Sequence, residues 1–499
     1  MKLTLGGNLP INRYYVQMLC MIYFPGAKFS ESECFTPDTP WLDVVVNGDD
    51  NAVKAICTLT LGERKASADK NFEIGGRITK DRAIKLAIGG AMYACGETVL
   101  EYRPSWGILT GVRPAKVATE LLLEGNSKTK VRKILATDYC VLPKKAVLAT
   151  NIARTEQKII GTPQKRDCSV YISIPFCPSR CSYCSFVSYT SKKLLSLIPE
   201  YLVKLCEDIR NIFSHIDRLG MNLKSIYIGG GTPTILSDEQ LRILLSTISE
   251  CTDVSSVSEY TLEGGRPDTI DAEKLKIAYE YGVTRVSVNP QSLCDMVLEG
   301  IGRSHTSEEF YKAYDIARNS GIKCINTDLI VGLPGDNFKT FSKTFNSIIK
   351  LNPENITVHT FCVKKSADLI KQGPDIFSLR GGDAWKCVDY SQLKAAQNGY
   401  IPYYMYRQKN TIGNFENVGF AKEGTEGLYN IYMMEEVHTI FSAGAGAVTK
   451  LVEYDAENPK KTRIKRLFNH KYPYEYLAND MKNQFDAEIE EFFRDVDFE

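Results

Sequence analysis

The sequence predicts an α/β protein whose central part is a partial (β/α)6 barrel. Strand-like and helix-like segments alternate there, and alternating βα units predict a parallel sheet. Six units are too few for a closed eight-stranded barrel, and in such folds the site lies at the C-terminal ends of the strands. The six predicted strands are Ser169–Ile174, Ser225–Ile228, Glu259–Leu262, Arg285–Val288, Cys324–Val331 and Asn355–His359.

The segments between these strands carry helix patterns. Ser237 followed by Gln240 predicts a capping box, in which each side chain bonds the other residue's backbone. After Asp336, apolar residues recur at helical spacing and mark one buried face, at Phe338, Phe341, Phe345 and Ile348.

The chain divides into three predicted sections. Residues 1–165 form an α+β extension, residues 166–360 the barrel, and residues 361–499 a C-terminal substrate-binding region. The polar stretch 161–167 is the linker between the first two sections. Within the extension the pattern predicts two strands joined by a hairpin turn and then a helix, at Leu42–Val46, Asn47–Asp50, Ala55–Leu61 and Asp81–Cys95.

The composition indicates a cytoplasmic enzyme that acts on a small molecule. Of the 499 residues, 43% are hydrophobic, and Lys+Arg 61 balance Asp+Glu 60, so no basic field favours nucleic acid or an anionic membrane. The apolar run Tyr14–Phe24 is shorter than the about 20 residues that span a bilayer, and it predicts a core-facing helix. The 15 cysteines, in a chain without a recognisable secretory signal, favour a reducing compartment.

Three cysteines lie at C-x3-C-x2-C spacing: Cys177, Cys181 and Cys184. Three thiolates can hold a [4Fe–4S] cluster and leave one iron without a protein ligand. Structural zinc usually takes four ligands, but Cys168 lies upstream across a predicted strand and no His is close. The spacing favours an iron–sulfur site, with zinc or an incidental cysteine cluster as the alternative.

A glycine-rich segment, Gly229-Gly230-Gly231-Thr232, ends the second predicted strand. Consecutive glycines let the backbone approach a ligand without a Cβ clash. Such a loop alone is either a plain turn or a ligand loop. Its position one βα unit after the cysteines favours the ligand loop.

The residues around the cysteines carry a family resemblance. The run Tyr171–Cys177, with Tyr183 and Phe186 behind it, resembles the cluster loop of radical S-adenosylmethionine (SAM) enzymes of the oxygen-independent coproporphyrinogen oxidase group. The resemblance implies a [4Fe–4S] cluster whose open iron is chelated by SAM, which is cleaved to a 5′-deoxyadenosyl radical. It assigns Tyr171 to the catalytic residues with the three cysteines, and Tyr183 to the SAM site.

The same resemblance implies further SAM-binding residues. Gly229, Gly230, Gly231 and Thr232 match the family loop that meets the SAM amino group. Four polar residues follow predicted strand ends, and each matches a family position: Glu263 a SAM-facing acid, Gln291 a ribose contact, Arg303 a partner of the SAM carboxylate and Asp328 an acceptor of ribose hydroxyls.

The C-terminal section is rich in aromatic residues and glycine. Together with Trp106–Pro114 in the first section, it resembles the HemZ-type branch of the coproporphyrinogen dehydrogenases. Aromatic faces and cations would suit a flat tetrapyrrole bearing propionates. The predicted substrate residues are Tyr403, Tyr406, Arg407 and Lys409; the alternative is an aromatic core strand with solvated charges.

Two departures keep the function open. The dehydrogenases whose activity defines the group carry a His where this chain has Ser173 and a further Cys where it has Phe186, and Phe186 resembles the HemW-type haem chaperones. The leading hypothesis is oxidative decarboxylation of coproporphyrinogen III to protoporphyrinogen IX in haem biosynthesis.

The alternatives are a haem-binding chaperone and a radical SAM enzyme acting on haem. Haem carriage would need an axial ligand, for which the candidates are His305, His359 and His438. The electron donor and acceptor, the oligomeric state and the role of residues 1–165 stay open.

Overall fold

The computed structural model describes residues 1–29, 36, 38–184, 188–362, 382–408, 411–455 and 461–496. The chain forms two compact units. The first contains Met1–Arg154 together with Met405–Glu416, and the second contains the barrel. The first unit therefore includes a segment of the predicted C-terminal section.

The first 160 residues form a four-stranded sheet and five helices. The sheet has the order β1-β2-β3-β4, with β1 parallel to β2 and the other neighbours antiparallel. The elements are β1 (Lys2–Gly7), α1 (Arg13–Tyr23), β2 (Trp41–Gly48), β3 (Ala52–Leu61), β4 (Arg64–Glu73), α2 (Lys80–Leu100), α3 (Ala115–Leu123), α4 (Lys128–Thr137) and α5 (Pro143–Ile160). Strands β2 and β3 confirm the predicted hairpin. Helices α1 and α2 confirm the helices predicted at Tyr14–Phe24 and Asp81–Cys95.

Helix α2 covers one face of this sheet. It begins at the N-cap Thr79, whose side chain accepts a hydrogen bond from the Arg82 backbone. Alternate residues of β2 and β3, such as Val44 and Cys57, are buried on the covered face. Among the described helices, α2 is long and apolar enough to cross a membrane, but 67% of its most apolar window is buried. Its packing is that of a core helix.

The next part of the chain contains the predicted barrel strands. Strands β5 to β10 are parallel and lie side by side in chain order. The elements are β5 (Asp167–Ile174), α6 (Lys192–Leu195), α7 (Ile198–Arg218), β6 (Asn222–Gly230), α8 (Asp238–Cys251), β7 (Glu259–Leu262), α9 (Ala272–Glu280), β8 (Arg285–Ser287), α10 (Asp295–Gly300), α11 (Ser307–Asn319), β9 (Cys324–Val331), α12 (Phe338–Leu351) and β10 (Asn355–Thr360).

This arrangement confirms the six βα units of the partial barrel. The capping box at Ser237 and Gln240 is present at the start of α8. Of the predicted face of α12, Phe341, Phe345 and Ile348 are buried.

The C-terminal part adds strands at both edges of the same sheet. Strands β11 and β12 extend it beyond β10, and β13, β14 and β15 extend it beyond β5. The elements are α13 (Ala384–Gln397), β11 (Ile401–Tyr406), β12 (Asn417–Ala421), α14 (Leu428–Glu435), β13 (Thr439–Ala443), β14 (Val448–Glu453), β15 (Arg463–Phe468), α15 (Pro473–Ala478) and α16 (Lys482–Phe493). Strand β13 is parallel to β5, a seventh parallel strand that the sequence did not predict.

Candidate active site

The three cysteines lie in the loop that follows β5. Cys177 and Cys181 are 7% and 8% exposed, and none of the three cysteines forms a disulfide within the described residues. The loop is held by backbone bonds: the Cys177 N–H donates to the Tyr189 carbonyl at 3.1 Å, and the Cys184 N–H to the Cys181 carbonyl at 3.1 Å. The thiols are thus presented from one anchored loop at the carboxyl end of the barrel.

The glycine-rich segment packs against this cysteine loop. The Gly231 N–H donates to the Ile174 carbonyl and the Thr232 N–H to the Phe176 carbonyl, each at 2.8 Å. The Thr232 hydroxyl lies 3.2 Å from the Cys177 sulfur. A Cβ at Gly231 would lie 2.5 Å from the Phe176 carbonyl oxygen, so glycine is required for this approach. The sequence assigned these glycines to SAM; the structure gives Gly231 a contact with the cysteine loop as well.

Burial raises the pKa of the Cys177 thiol to about 11, and the Thr232 hydrogen bond acts in the opposite direction. A thiol in such surroundings stays protonated at neutral pH in the absence of a metal. Binding of iron would therefore displace a proton from Cys177.

Arg266, which the sequence analysis did not assign, also contacts the cysteine loop. It is 3% exposed and lies just after β7. Its guanidinium donates to the Ser179 carbonyl at 3.1 Å and points at the Cys181 sulfur at 3.7 Å. The contact joins residues 85 positions apart in the chain, so no local motif could have revealed it.

Glu263 and Asp328 form the acidic part of the site. Burial and, second, the nearby Asp328 carboxylate raise the pKa of Glu263, a backbone bond from Gly230 lowers it, and the net value is about 8. A Cβ at Gly229 would lie 2.6 Å from a Glu263 carboxylate oxygen, so that glycine leaves room for the acid. Glu263 is therefore mostly protonated at neutral pH.

Two amides and a histidine surround Asp328. The Asn326 amide donates to Oδ1 at 2.8 Å, and the Asn289 amide to Oδ2 at 2.9 Å. His359 Nε2 lies 3.7 Å from Oδ2. These contacts fix the carboxylate, and each oxygen has a further lone pair that can accept a bond from a ligand hydroxyl.

Gln291 is held in an uncommon backbone conformation. Its φ is +64°, in the left-handed region, and its N–H donates to the Asp328 carbonyl at 3.0 Å. The side chain is 7% exposed, and its Oε1 has no hydrogen-bond partner within the described chain. A buried acceptor without a donor is costly, which fits a site completed by a ligand hydroxyl.

Arg303 and Tyr183 lie together. Arg303 donates to the Tyr183 hydroxyl through Nε at 3.1 Å and Nη2 at 3.0 Å, and its Nη1 lies 3.4 Å from the Gly265 carbonyl. The structure thus brings together two residues that the sequence assigned separately to SAM.

Tyr171 belongs to a group of three stacked rings inside the barrel. Its ring centroid lies 6.1 Å from that of Tyr227 and 5.9 Å from that of Tyr429, and the latter two are 4.6 Å apart. Tyr429 comes from α14, whose first backbone N–H groups donate to the buried Glu259 carboxylate. The sequence analysis missed Tyr227 and Tyr429 because the three rings come from different elements.

Of the four predicted substrate residues of the C-terminal section, the structure describes Tyr403, Tyr406 and Arg407. Tyr403 is 1% exposed, and its hydroxyl accepts a bond from Asn430 at 3.3 Å. Tyr406 ends β11, and Lys409 lies outside the described residues. Tyr403 therefore resembles the core aromatic of the alternative interpretation.

Arg407 is 4% exposed and packs within the first unit. Its guanidinium donates to the carbonyls of Leu109 and Gly111 and lies over the Trp106 ring. These contacts give Arg407 a role in packing, while its buried Nη1 has no hydrogen-bond partner among the described residues, so the propionate role stays a prediction. A basic residue in an aromatic segment gives no indication of which way its side chain turns.

The cysteine loop fits a cluster better than a single ion. No three His, Cys, Asp or Glu side chains in the described ranges are grouped so that they could hold one metal ion. A [4Fe–4S] cluster does not require the three thiolates to converge on one ion, because each thiolate binds a separate iron. The three thiols, the guanidinium near Cys181 and the Gln291 Oε1, which has no partner in the described part of the chain, are consistent with a cluster and a nucleoside-bearing ligand.

Comparisons with known proteins show which family the chain resembles. The Radical SAM superfamily matches residues 171–348. The oxygen-independent coproporphyrinogen-III oxidase-like protein HemZ of Bacillus subtilis (strain 168) is 36% identical, over 74% of this chain and 74% of that protein. The heme chaperone HemW of the same organism is 32% identical, over 61% of this chain and 77% of that protein. The solved structure of coproporphyrinogen III oxidase (HemN) from Escherichia coli covers 68% of this chain and 73% of its own, with 20% identity and a TM-score of 0.49.

Proposed function

Because this chain belongs to the radical SAM superfamily and, within it, to the family of oxygen-independent coproporphyrinogen-III oxidase-like proteins, we propose that it decarboxylates coproporphyrinogen III to protoporphyrinogen IX. The observation that carries the proposal is that the cysteine loop, Glu263, Gln291 and Asp328 lie on or after neighbouring parallel strands, toward their carboxyl ends. That end is where sites form in barrels of this type.

In this proposal the chain's residues hold two cofactors. Cys177, Cys181 and Cys184 would bind the [4Fe–4S] cluster, and Gln291 and Asp328 would accept bonds from the SAM ribose. When bound, the cluster and SAM supply a 5′-deoxyadenosyl radical that abstracts hydrogen. The protonated Glu263 adds no negative charge, and its hydroxyl is available to donate.

The overall reaction converts two propionate groups to vinyl groups. Each propionate loses one hydrogen atom from its β-carbon, its carboxylate as CO2, and one electron. The hydrogen goes to the deoxyadenosyl carbon, and the electron goes to an acceptor that the sequence does not identify. The cluster bound by the three cysteines would also need a separate one-electron donor.

A cytoplasmic setting suits this chemistry. The cysteines in the described part of the chain form no disulfides with one another. Buried thiols and an oxygen-sensitive cluster both fit a reducing compartment.

Haem delivery is the second candidate, because a HemW relative matches 61% of the chain and Ser173 stands where the defining dehydrogenases carry His. The Ser173 hydroxyl donates to the Ala445 carbonyl at 3.0 Å. A haem carrier needs an accessible axial ligand. His305 and His438 are 2% and 3% exposed, and burial lowers their pKa values to about 4 and about 3. Only His359 of these three candidates is partly exposed. A radical SAM reaction on haem itself is a third candidate.

The test is anaerobic incubation of the cluster-loaded protein with SAM, a chemical reductant and coproporphyrinogen III, followed by mass analysis of the products. Loss of two CO2 with formation of 5′-deoxyadenosine is the expected result. The Cys181→Ala variant is the control and should form neither product. Absence of decarboxylation together with tight haem binding would favour the chaperone, and conversion of added haem would favour the third candidate.

A further inference from the structure

The Arg266 guanidinium uses all five of its N–H donors. Two go to the cysteine loop, at the Ser179 carbonyl and the Cys181 sulfur. Nε and Nη2 form a two-pronged pair with the Asp268 carboxylate, each at 3.1 Å. The last donor reaches the Ser304 hydroxyl at 3.1 Å. Five donors in a fixed plane are a property of Arg and cannot be reproduced by Lys.

These contacts tie three parts of the barrel rim together. Ser179 and Cys181 belong to the loop after β5, Asp268 to the loop after β7, and Ser304 to the loop after α10. The Ser304 hydroxyl also lies 3.2 Å from that of Ser179. Because the Arg266 side chain is almost fully buried, solvent screens its charge only weakly.

We propose that Arg266 is a positioning residue that orients the Cys181 thiolate and raises the reduction potential of the bound cluster. This inference rests on the proposed function, since it requires the cluster. Reduction adds one negative charge to the cluster. Hydrogen bonds to cluster sulfurs and nearby cations stabilise that charge and shift the potential upward.

Asp268 limits how far Arg266 raises the reduction potential of the cluster. A variant of Asp268 should therefore shift the potential in the opposite direction to a variant of Arg266. Its carboxylate holds the far side of the guanidinium and compensates its charge. Asp268→Asn would keep a planar partner but leave the positive charge uncompensated, so the cluster should become easier to reduce. Arg266→Met, which removes the charge and the donors, should make reduction harder.

The neighbouring Arg303 serves a different contact. Its donors go to the Tyr183 hydroxyl and the Gly265 carbonyl, whereas Arg266 points directly at a ligand sulfur. The two guanidinium groups are therefore expected to differ when mutated. Arg303 variants should change SAM binding more than the potential, and Arg266 variants should do the reverse.

The experiment is a potentiometric titration of the reconstituted protein, followed by electron paramagnetic resonance and iron analysis. Arg266→Met should lower the equilibrium constant for cluster reduction at least tenfold, which is about 59 mV for a one-electron couple. Asp268→Asn should shift the potential upward. Arg242→Gln is the matched control, because Arg242 pairs with Glu273 and Glu280 at an exposed site in the same unit. It should match the wild type.

Each outcome decides the question. If the wild type takes up no cluster, the proposed function fails before the variants are compared. If Arg266→Met holds no cluster, the reduction potential of Asp268→Asn decides whether the inference holds. A potential equal to that of the wild type in Asp268→Asn would overturn the inference. Loss of cluster from both variants, with the wild type and Arg242→Gln loaded, would assign Arg266 to the fold and also overturn it.

Discussion

Gln291 combines backbone strain with an unsatisfied acceptor. A residue other than glycine in the left-handed region costs about 1–2 kcal/mol, and such strain is often found at ligand sites. Gln291→Gly should therefore leave the cofactor-free protein as stable as the wild type or more so. The same variant should weaken SAM binding to the cluster-loaded protein by about 0.5–1.5 kcal/mol, because the Oε1 acceptor is lost.

Calorimetry of SAM binding and thermal unfolding would check both effects. Gln291→Asn is the matched control, since Asn tolerates the left-handed region but its side chain is one carbon shorter. Unchanged SAM affinity in both variants would remove Gln291 from the cofactor site.

Glu263 makes the stability of the protein depend on pH. Its pKa is about 8 in the folded protein against an ordinary 4.5, so the folded state holds the proton more tightly than the unfolded state. Stability must then fall as pH rises from about 4.5 to about 8, and Glu263→Gln should remove this part of the dependence. Thermal unfolding of cofactor-free protein between pH 5 and pH 8.5 is the measurement. Parallel curves for the two proteins would contradict the assignment.

Sequence reasoning assigned site residues where a local motif existed. The cysteines and the glycines each belong to a short contiguous pattern at a strand end, and Asp328 belongs to one within β9. Arg266 lies beside such a pattern but acts on Cys181, and Tyr429 comes from α14, far along the chain. Contacts of this kind depend on tertiary packing, which no local spacing encodes.

At the scale of elements, the glycine segment can contact the cysteine loop because Gly231 has no Cβ. An Ala there would force the Phe176 carbonyl away and crowd the Cys177 sulfur. Gly231→Ala should cost about 1–3 kcal/mol of stability and reduce cluster retention. Iron content after reconstitution and urea unfolding are the measurements.

The matched control is Gly111→Ala, since a Cβ at Gly111 would meet no atom within 4 Å. It should bind as much iron as the wild type. Equal iron content and stability in Gly231→Ala would mean that the loop has more freedom than the backbone contacts indicate.

The barrel elements were predictable because each strand is followed by its own helix and turn residues. The alternation of strand-like and helix-like segments predicted β5 to β10, and the capping box predicted the start of α8. Strand β13 was not predicted. All five of its residues, Thr439–Ala443, are buried, and a short buried run has no alternation that would distinguish it from part of a helix.

At the scale of the whole molecule, β13 makes the C-terminal section part of the barrel sheet. It pairs in parallel register with β5, from Thr439 opposite Cys168 to Ala443 opposite Ile172, and is antiparallel to β14 on its other side. Without it, β5, whose loop carries the cysteines, would be an unprotected edge strand. The predicted barrel and the predicted C-terminal section therefore contribute strands to one sheet.

This topology predicts a specific pattern of amide hydrogen exchange. Amides of β13 lie between two strands and should exchange as slowly as those of β5 and β6, at close to the rate of global unfolding. Among the strands that the structure describes, β15 is at the edge of the sheet and pairs with β14 alone, so its amides should exchange much faster. Exchange of the cofactor-free protein, followed by mass spectrometry of peptides covering Thr439–Ala443 and Arg463–Phe468, makes the comparison within one molecule. Equal, fast exchange in the two strands would mean that β13 does not stabilise β5, and the cysteine loop would then depend on the barrel strands β5 to β10 alone.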